Sequence, residues 1–510
     1  MSSKNKTIAN VTWSFIMRIM VLVGQFILQS FFVRYLSINY LGVNGLFTNV
    51  ISFLSFAELG IGAAVTFALY KPLSEQDDEA IASVMNFYKK AYRIIGFVVF
   101  FVGMIVMTFL PALVKKTSDV PNIRYLFLIY LLGTVSSYFF TYYRSLLIAN
   151  QQSYINIQNQ AGFKVVQMIV QAAAIALFHR YDVYLWITVI FTVASNVHVA
   201  YIAKKWFPDV LNHIKKAKPI PKNQITEIKN NVIGSFASKV GTVIVFSTDN
   251  LLIAKFSGLV SVGQYSNYAL IIQGITTVLN EVYSSIIATF GNASLKQSSK
   301  AKEDMLLRYM YFVGLVSALI VAEFELLVQG FIGLWIGKDY LLIKYIVVLI
   351  IVSFTITELR VPVTGFTAAL GLYWHTRFKS LIEAASNLIF SLVMIKISRD
   401  SIIGVLWGTI LSNILINAWW EPYILYSKGI QLRMTKYWRT WLGYMAFFAA
   451  EIAVFYYLLD LIVVRNYLEL VGFAVIIAII VAIIFILVFW NKDGRKILFT
   501  AISSRGFKKH

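Results

Sequence analysis

Apolar runs of membrane-crossing length follow one another almost without a break from Asn10 to Trp490. A hydrocarbon core of roughly 30 Å takes about 20 apolar residues per helical crossing. Dividing the chain at its short polar breaks predicts fourteen helices, near 10–36, 40–70, 86–112, 122–149, 155–179, 183–207, 230–256, 260–292, 304–328, 339–371, 376–396, 401–426, 438–460 and 467–490. The first run carries Arg18, Gln25 and Gln29 and lacks a small-residue cleavage site, so it reads as a permanent helix rather than a cleaved signal. Between helices two and three, residues 74–93 open with acids and close with Lys89, Lys90 and Arg93, which predicts a short interfacial helix.

Composition agrees with the pattern. The 510 residues are 59% hydrophobic and only 14% charged, and the mean hydropathy is +0.72. The predicted class is an all-α polytopic membrane protein of the cell (cytoplasmic) membrane. The net charge of +21 does not point to nucleic acid, because Lys and Arg gather in alternate loops. With both termini placed in the cytoplasm, about 29 of the 45 fall on that side, about 11 outside and five within helices. Trp206, Trp438, Trp441 and Trp490 sit at the expected cytoplasmic helix ends.

Nine residues are written twice. Asn10-Val11-Thr12-Trp13-Ser14-Phe15-Ile16-Met17-Arg18 is echoed 221 positions later by Asn231-Val232-Ile233-Gly234-Ser235-Phe236-Ala237-Ser238-Lys239, so Arg18 corresponds to Lys239. At the same offset Arg34 to Gly42 matches Lys255 to Gly263, and at 215 Phe163-Lys164 matches Phe378-Lys379. The offset spans six helices, an even number, so the copies share one orientation and form parallel repeats. The expected organisation is 1–207, a six-helix bundle; 208–229, a basic cytoplasmic linker with Pro208, Pro219 and Pro221; 230–426, a second six-helix bundle; and 427–510, two further helices with a basic tail.

Arg18, Arg144, Lys164, Lys239 and Arg360 fall well inside expected helices, where a lipid-facing cation would cost at least about 2.5–3.5 kcal/mol. Each therefore faces a watery cavity or an anionic ligand, or else snorkels or forms a structural ion pair. Ser14, Arg18, Gln25 and Gln29 lie within an arc of about 60° on the first helix, and Gln160, Lys164, Gln167 and Gln171 within a similar arc on the fifth. Ser235, Lys239, Thr242, Asp249 and Asn250 make a broader stripe on the seventh. Such stripes suit a solvated path, although polar residues also join membrane helices to one another. Among the acids in apolar runs, Asp249, Glu281, Glu58 and Glu383 are candidates for Na⁺ or proton coupling, whereas Glu323 and Glu325 are expected to reach the outer interface. Glu358 is too close to Arg360 to share its helical face, and Glu451 lies in the thirteenth helix.

Other chemistry is excluded or unsupported. There is no cysteine, the five histidines lack ligand spacing, and no P-loop is present, so no metal or other cofactor is expected. No loop is long enough for a catalytic domain, so the chain is not expected to be an enzyme. Gly60 and Gly62 mark either a bend or close packing.

Ala57-Glu58-Leu59-Gly60-Ile61-Gly62, running to Leu69-Tyr70-Lys71-Pro72-Leu73, resembles the second-helix exit of polysaccharide repeat-unit flippases. Asp249 to Gly258, followed by Val262-Gly263-Gln264-Tyr265, is similar to their seventh-helix signature. This resemblance, which points to the Gram-positive capsule and exopolysaccharide branch, implies membership of the multidrug/oligosaccharidyl-lipid/polysaccharide exporter superfamily. It implies two six-helix bundles in a V around a central cavity. It also implies movement of an undecaprenyl-diphosphate-linked oligosaccharide to the outer leaflet. The partners it implies are membrane lipids, a polysaccharide polymerase and an initiating glycosyltransferase. By that likeness Arg18 and Lys239 hold the diphosphate. The wider candidate set adds Lys164, Arg144 and Arg360, with Gln25, Gln29, Gln160 and Gln167 facing the sugars. A monomer is expected. The competing readings are a cation-coupled multidrug exporter of the same superfamily and a membrane glycosyl polymerase, which would need a large outer loop.

Overall fold

A computed structural model of the chain describes the backbone of residues 3–58, 61–114, 120–150, 152–214, 248–294 and 297–490, with isolated positions between 217 and 232. Among the described residues every regular element is helical. Ten helices among them are long and apolar enough to cross a membrane, or eleven if the bent pair Ile123–Tyr138 and Thr141–Ala149 is one span. The protein is an all-α, multi-pass membrane protein. Of the expected helix at 230–256, residues 230–231 and 233–247, with Lys239, lie outside the described residues, and 248–256 are helical.

The chain forms two compact units, Met1–Ser266 and Asn267–His510. In the first, α1 (Ser3–Tyr35) packs along α7 (Ser153–Phe178), and α7 packs on α8 (Tyr181–Trp206). Gly24 permits the α1–α7 approach, since a Cβ there would stand 2.6 Å from the Met168 methyl. The expected helix 40–70 is in fact two, α2 (Ile38–Leu54) and α3 (Ile61–Glu75), parted at the 3₁₀ turn Ser55–Glu58. There the Ser55 hydroxyl donates back to the Ile51 carbonyl, and Glu58 accepts from the Tyr92 hydroxyl at 2.9 Å. The break gives a carboxylate in an apolar segment the donor it needs.

The expected interfacial helix after residue 74 is also corrected. Asp77 caps α4 (Asp78–Phe109) by accepting from the Ala80 amide at 2.9 Å, and α4 then runs 32 residues without interruption. At 1.5 Å per residue it is about 48 Å long, so interfacial turn and membrane span are one rod. The pair α5 (Ile123–Tyr138) and α6 (Thr141–Ala149) bends by 42°. Ser136, Ser137 and Thr141 donate to the carbonyls of Gly133, Thr134 and Ser137, and such back-bonding competes with the helical ladder.

The matched glycines of the repeat meet within this first unit. A Cβ on Gly42 would collide with the Leu259 carbonyl, and one on Gly263 would lie 2.8 Å from the carbonyl oxygen of Ile38. Gly42 and Gly263 are 221 positions apart, as are Ile38 and Leu259. The contact is reciprocal, as a two-fold relation between α2 and the start of the helix Leu259–Ser294 requires.

After the short α9 (Pro208–His213), α10 (Leu259–Ser294) leads into the second unit. Its centre is α11 (Ser299–Trp335), packed by α12 (Lys344–Ala369) and by the two last helices among the described residues, α16 (Thr435–Leu458) and α17 (Tyr467–Val488). Tyr311, Tyr444, Phe485 and Phe489 knit those helices together, with ring centroids 4.7 Å apart for Tyr444–Phe489 and 5.5 Å for Tyr311–Phe485. Helix α13 (Tyr373–Ser398) packs closely on α14 (Ser401–Ser412) across Gly404 and Gly408, the small-xxx-small pattern that lets membrane helices approach. Beyond α14 the span continues through a π turn (Asn413–Asn417), α15 (Ala418–Ile424) and a second π turn (Leu425–Ile430).

Candidate functional site

In the first unit the bend before α6 presents Arg144 to α7 and α8. Its guanidinium donates to Asn156 Oδ1 at 2.6 Å, to Asn196 Oδ1 at 2.9 Å and to Ser195 Oγ at 3.0 Å. Ser195 donates on to Asn159, whose amide meets the His198 ring at 2.8 Å. The groups that Arg144 itself donates to are all uncharged amides or hydroxyls. Lys164 is partly buried on α7, and none of the ion pairs among the described residues includes Arg144 or Lys164. A groove of about 430 Å³ opens beside this network, lined by Gly162, Phe163, Val166 and Phe191 with Asn159 and His198.

The second unit repeats the plan with a different electrostatic outcome. Arg360 stands 216 positions after Arg144, and Ser412-Asn413 stands 217 after Ser195-Asn196. Arg360 again donates to the asparagine, Asn413. It also donates to Glu421, at 3.0 Å to Oε2 and 2.5 Å to Oε1, and lies 3.6 Å from Glu383. Lys379, the counterpart of Lys164, pairs with Glu383 at 2.8 Å and Glu421 at 2.7 Å. Asn417, on the first π turn, donates to Glu383. Two cations thus meet two carboxylates. Glu383 follows Lys379 by four residues, and the residue four beyond Lys164 is Met168. The first unit therefore keeps two cations, Arg144 and Lys164, that lack acid partners among the described residues, while the second pairs its two with carboxylates.

The other sequence candidates are dispersed. Arg18 is exposed on α1 and makes contacts of its own, and Gln25 and Gln29 are partly buried. Gln160 is exposed. Gln167 is buried, donating to Gln171 and Thr188, while Gln171 donates to Thr188 at 2.8 Å and to the Tyr184 carbonyl at 3.0 Å. That arrangement joins α7 to α8 rather than wetting a path, which divides the expected stripe of helix five. Glu58 is held by Tyr92, and Glu383 by Lys379, Arg360 and Asn417. Glu281 has partners. Asp249 keeps one buried oxygen without a hydrogen bond. Glu325 does not reach the interface as expected; it is 1% exposed, buried where α11 packs. Sequence reading missed Glu421, Asn156, Ser195 and Asn413. The repeated Ser-Asn dipeptide was a visible signal for the last two, whereas Glu421 lies 42 residues from Lys379 with no local mark.

These features define a polytopic helical protein with polar and charged networks buried in its bundles. Its fold is shared by known membrane transporters. The lipid II flippase MurJ, in an inward closed conformation, aligns with a TM-score of 0.66 at 14% identity, covering 96% of this chain and all of that one. An inward-facing multidrug resistance MATE family transporter of the MOP superfamily aligns at 0.61 and 14% identity, covering 81% and 99%. The Vibrio cholerae MATE transporter VcmN, in a mutant form, aligns at 0.52 and 13% identity, covering 84% and 99%. No protein-family profile matches the sequence, and no curated protein matches it.

Proposed function

We propose that the chain is a flippase that carries an undecaprenyl-diphosphate-linked oligosaccharide across the cytoplasmic membrane by alternating access, for capsule or exopolysaccharide synthesis. The observation that carries the reading is the asymmetry of the repeated network. Arg144 and Lys164 have no acid paired with them among the described residues of the first unit, whereas Arg360 and Lys379 pair with Glu421 and Glu383 in the second. A diphosphate leaving water needs charge-assisted donors to replace its hydration. An unneutralised cation pair offers them, and a neutralised one does not.

Arg18, Lys164, Arg144 and Lys239 therefore form the proposed anion path, with Gln25, Gln29 and Gln160 toward the sugar. Arg360 leaves that set and becomes a structural anchor. MurJ, which shares the fold over nearly the whole chain, is a flippase of lipid II, a lipid-linked substrate. The six-plus-six-plus-two organisation, the cytoplasmic termini and the monomeric state belong to the same proposal. A drug exporter taking cationic compounds would place acids where Arg144 and Lys164 stand.

The test is reconstitution into vesicles holding the lipid-linked repeat unit, scoring its appearance in the outer leaflet with and without Na⁺ or proton gradients. Transport by the wild type, lost in the Lys164→Gln and Arg144→Gln variants, supports the reading. Transport unchanged in the double variant overturns it.

A further inference from the structure

Helix α2 has two faces of opposite character. Leu41, Val43, Leu46, Phe47, Val50 and Ile51 are buried. Between Leu41 and Ser52 every residue that is not buried is polar or glycine: Asn44, Gly45, Thr48, Asn49 and Ser52. They span an arc of about 140° on one side of the helix. Thr48 is exposed and the other four are partly so, and α2 carries no charged residue.

A face covered by lipid has a different composition. On α4 the exposed residues between Ile94 and Ile105 are Ile94, Phe97, Val98, Phe101, Val102 and Ile105. Hydrocarbon cannot stand in for water at an amide or a hydroxyl, so the uncovered side of α2 suits water or a polar ligand. Bonding between helices accounts for two of its four polar side chains. The Thr48 hydroxyl lies 3.0 Å from that of Tyr130 on α5, and Asn44 Oδ1 accepts from Tyr181 of α8 at 3.2 Å. Asn49 and Ser52, among the described residues, bond only within α2, each donating at 2.8 Å to the carbonyl four residues back. Joining helices therefore does not explain them. Uncharged groups continue the face sideways, since a Cβ on Gly45 would stand 3.0 Å from Ser266 Oγ and 3.8 Å from Asn250 Nδ2.

We propose that this face of α2, with Tyr130, is a subsite for the neutral sugar residues of the cargo; the proposal deepens the flippase reading and rests on it. A hydroxyl offers one donor and two acceptor positions, and an amide offers two of each. Thr48, Asn49, Ser52 and Tyr130 thus present both kinds to a polyhydroxylated ligand. With no cation on α2, a diphosphate gains no charge-assisted bond from this helix, and with no carboxylate neither does a cationic compound. The subsite and the Arg144–Lys164 pair divide the substrate by its chemistry, sugar to one and phosphate to the other.

Because the chain has no cysteine, single cysteines report on this face. In proteoliposomes of the full chain, Thr48→Cys, Asn49→Cys and Ser52→Cys should react with a small water-soluble thiol reagent, whereas Phe101→Cys should not. The lipid-linked repeat unit should slow that labelling severalfold, and undecaprenyl diphosphate without sugar should leave it unchanged. The Thr48→Val, Asn49→Leu double variant should bind the repeat unit roughly tenfold more weakly, as loss of two hydrogen-bonding groups implies, and bind the sugar-free lipid like the wild type. Ser52→Ala, a milder change at a partly exposed position, should shift binding in the same direction should the double variant fail to fold. Three unreactive cysteines overturn the proposal, because the face is then closed to water. Labelling slowed equally by both lipids, or by neither, also overturns it where the wild type still transports the repeat unit. A wild type that neither binds nor moves either lipid overturns the flippase reading, and the sugar subsite with it.

Discussion

At the scale of the residue, the two copies of one network differ chiefly in a few side chains. The residue four beyond the lysine is Met168 in one and Glu383 in the other. Met168→Glu should therefore write the neutral pattern into the first unit, placing a carboxylate one helical turn from Lys164. We expect outer-leaflet delivery of the lipid-linked substrate to fall at least tenfold while the protein remains folded in the membrane; undiminished delivery would show that the free charge is irrelevant. In the other copy the expectation reverses. Lys379→Gln leaves Glu383 and Glu421 short of a buried partner, and breaking such a pair typically costs about 3–5 kcal/mol. Its signature is a lowered melting temperature in detergent, larger than that of Lys164→Gln. The Phe163-Lys164 and Phe378-Lys379 match was legible in the sequence, and so was the Glu383 spacing. Glu421 was not, because its link to Arg360 and Lys379 depends on how α12, α13 and α15 pack.

At the scale of the element, close approach and local competition for hydrogen bonds decide the shapes. Gly42→Ala drives a methyl into the backbone carbonyl of Leu259, which cannot swing aside, whereas at Gly162 nothing lies within 4 Å of the added atom. The first should lose folded protein or melt markedly lower, by an overpacking cost of about 1–3 kcal/mol or more, and Gly162→Ala should be close to wild type. Equal melting curves for the two would refute the crossing. The glycine at the end of each repeated Arg34–Gly42 and Lys255–Gly263 stretch was readable as a pattern, but its use as a mutual contact needed the fold. Likewise the hydropathy of residues 40–70 and 122–149 announced apolar length. It said nothing of the break at Ser55–Glu58 or the 42° bend, since both arise from side chains bonding to nearby carbonyls and to other helices.

At the scale of the whole molecule, the absence of cysteine makes topology directly measurable. Ser74 and Arg180 are both exposed, at the ends of different helices. With the termini in the cytoplasm, Ser74→Cys should react with a membrane-impermeant thiol reagent only in inverted vesicles, and Arg180→Cys in intact cells. Labelling of both from the same side would break the helix count behind the parallel repeat.

Composition and periodicity by themselves determined that the chain spans a membrane many times as helices, that part of it is written twice, and which cations fall within apolar runs. Those follow from the transfer cost of charge and from a helix needing about 20 apolar residues. Tertiary structure decided which of those cations have a carboxylate beside them among the described residues. Arg144 and Arg360 are alike in sequence setting. Only the arrival of Glu421 and Glu383 from other parts of the second unit separates an anchor from a candidate anion site, because electrostatic pairing depends on distance in space and not along the chain.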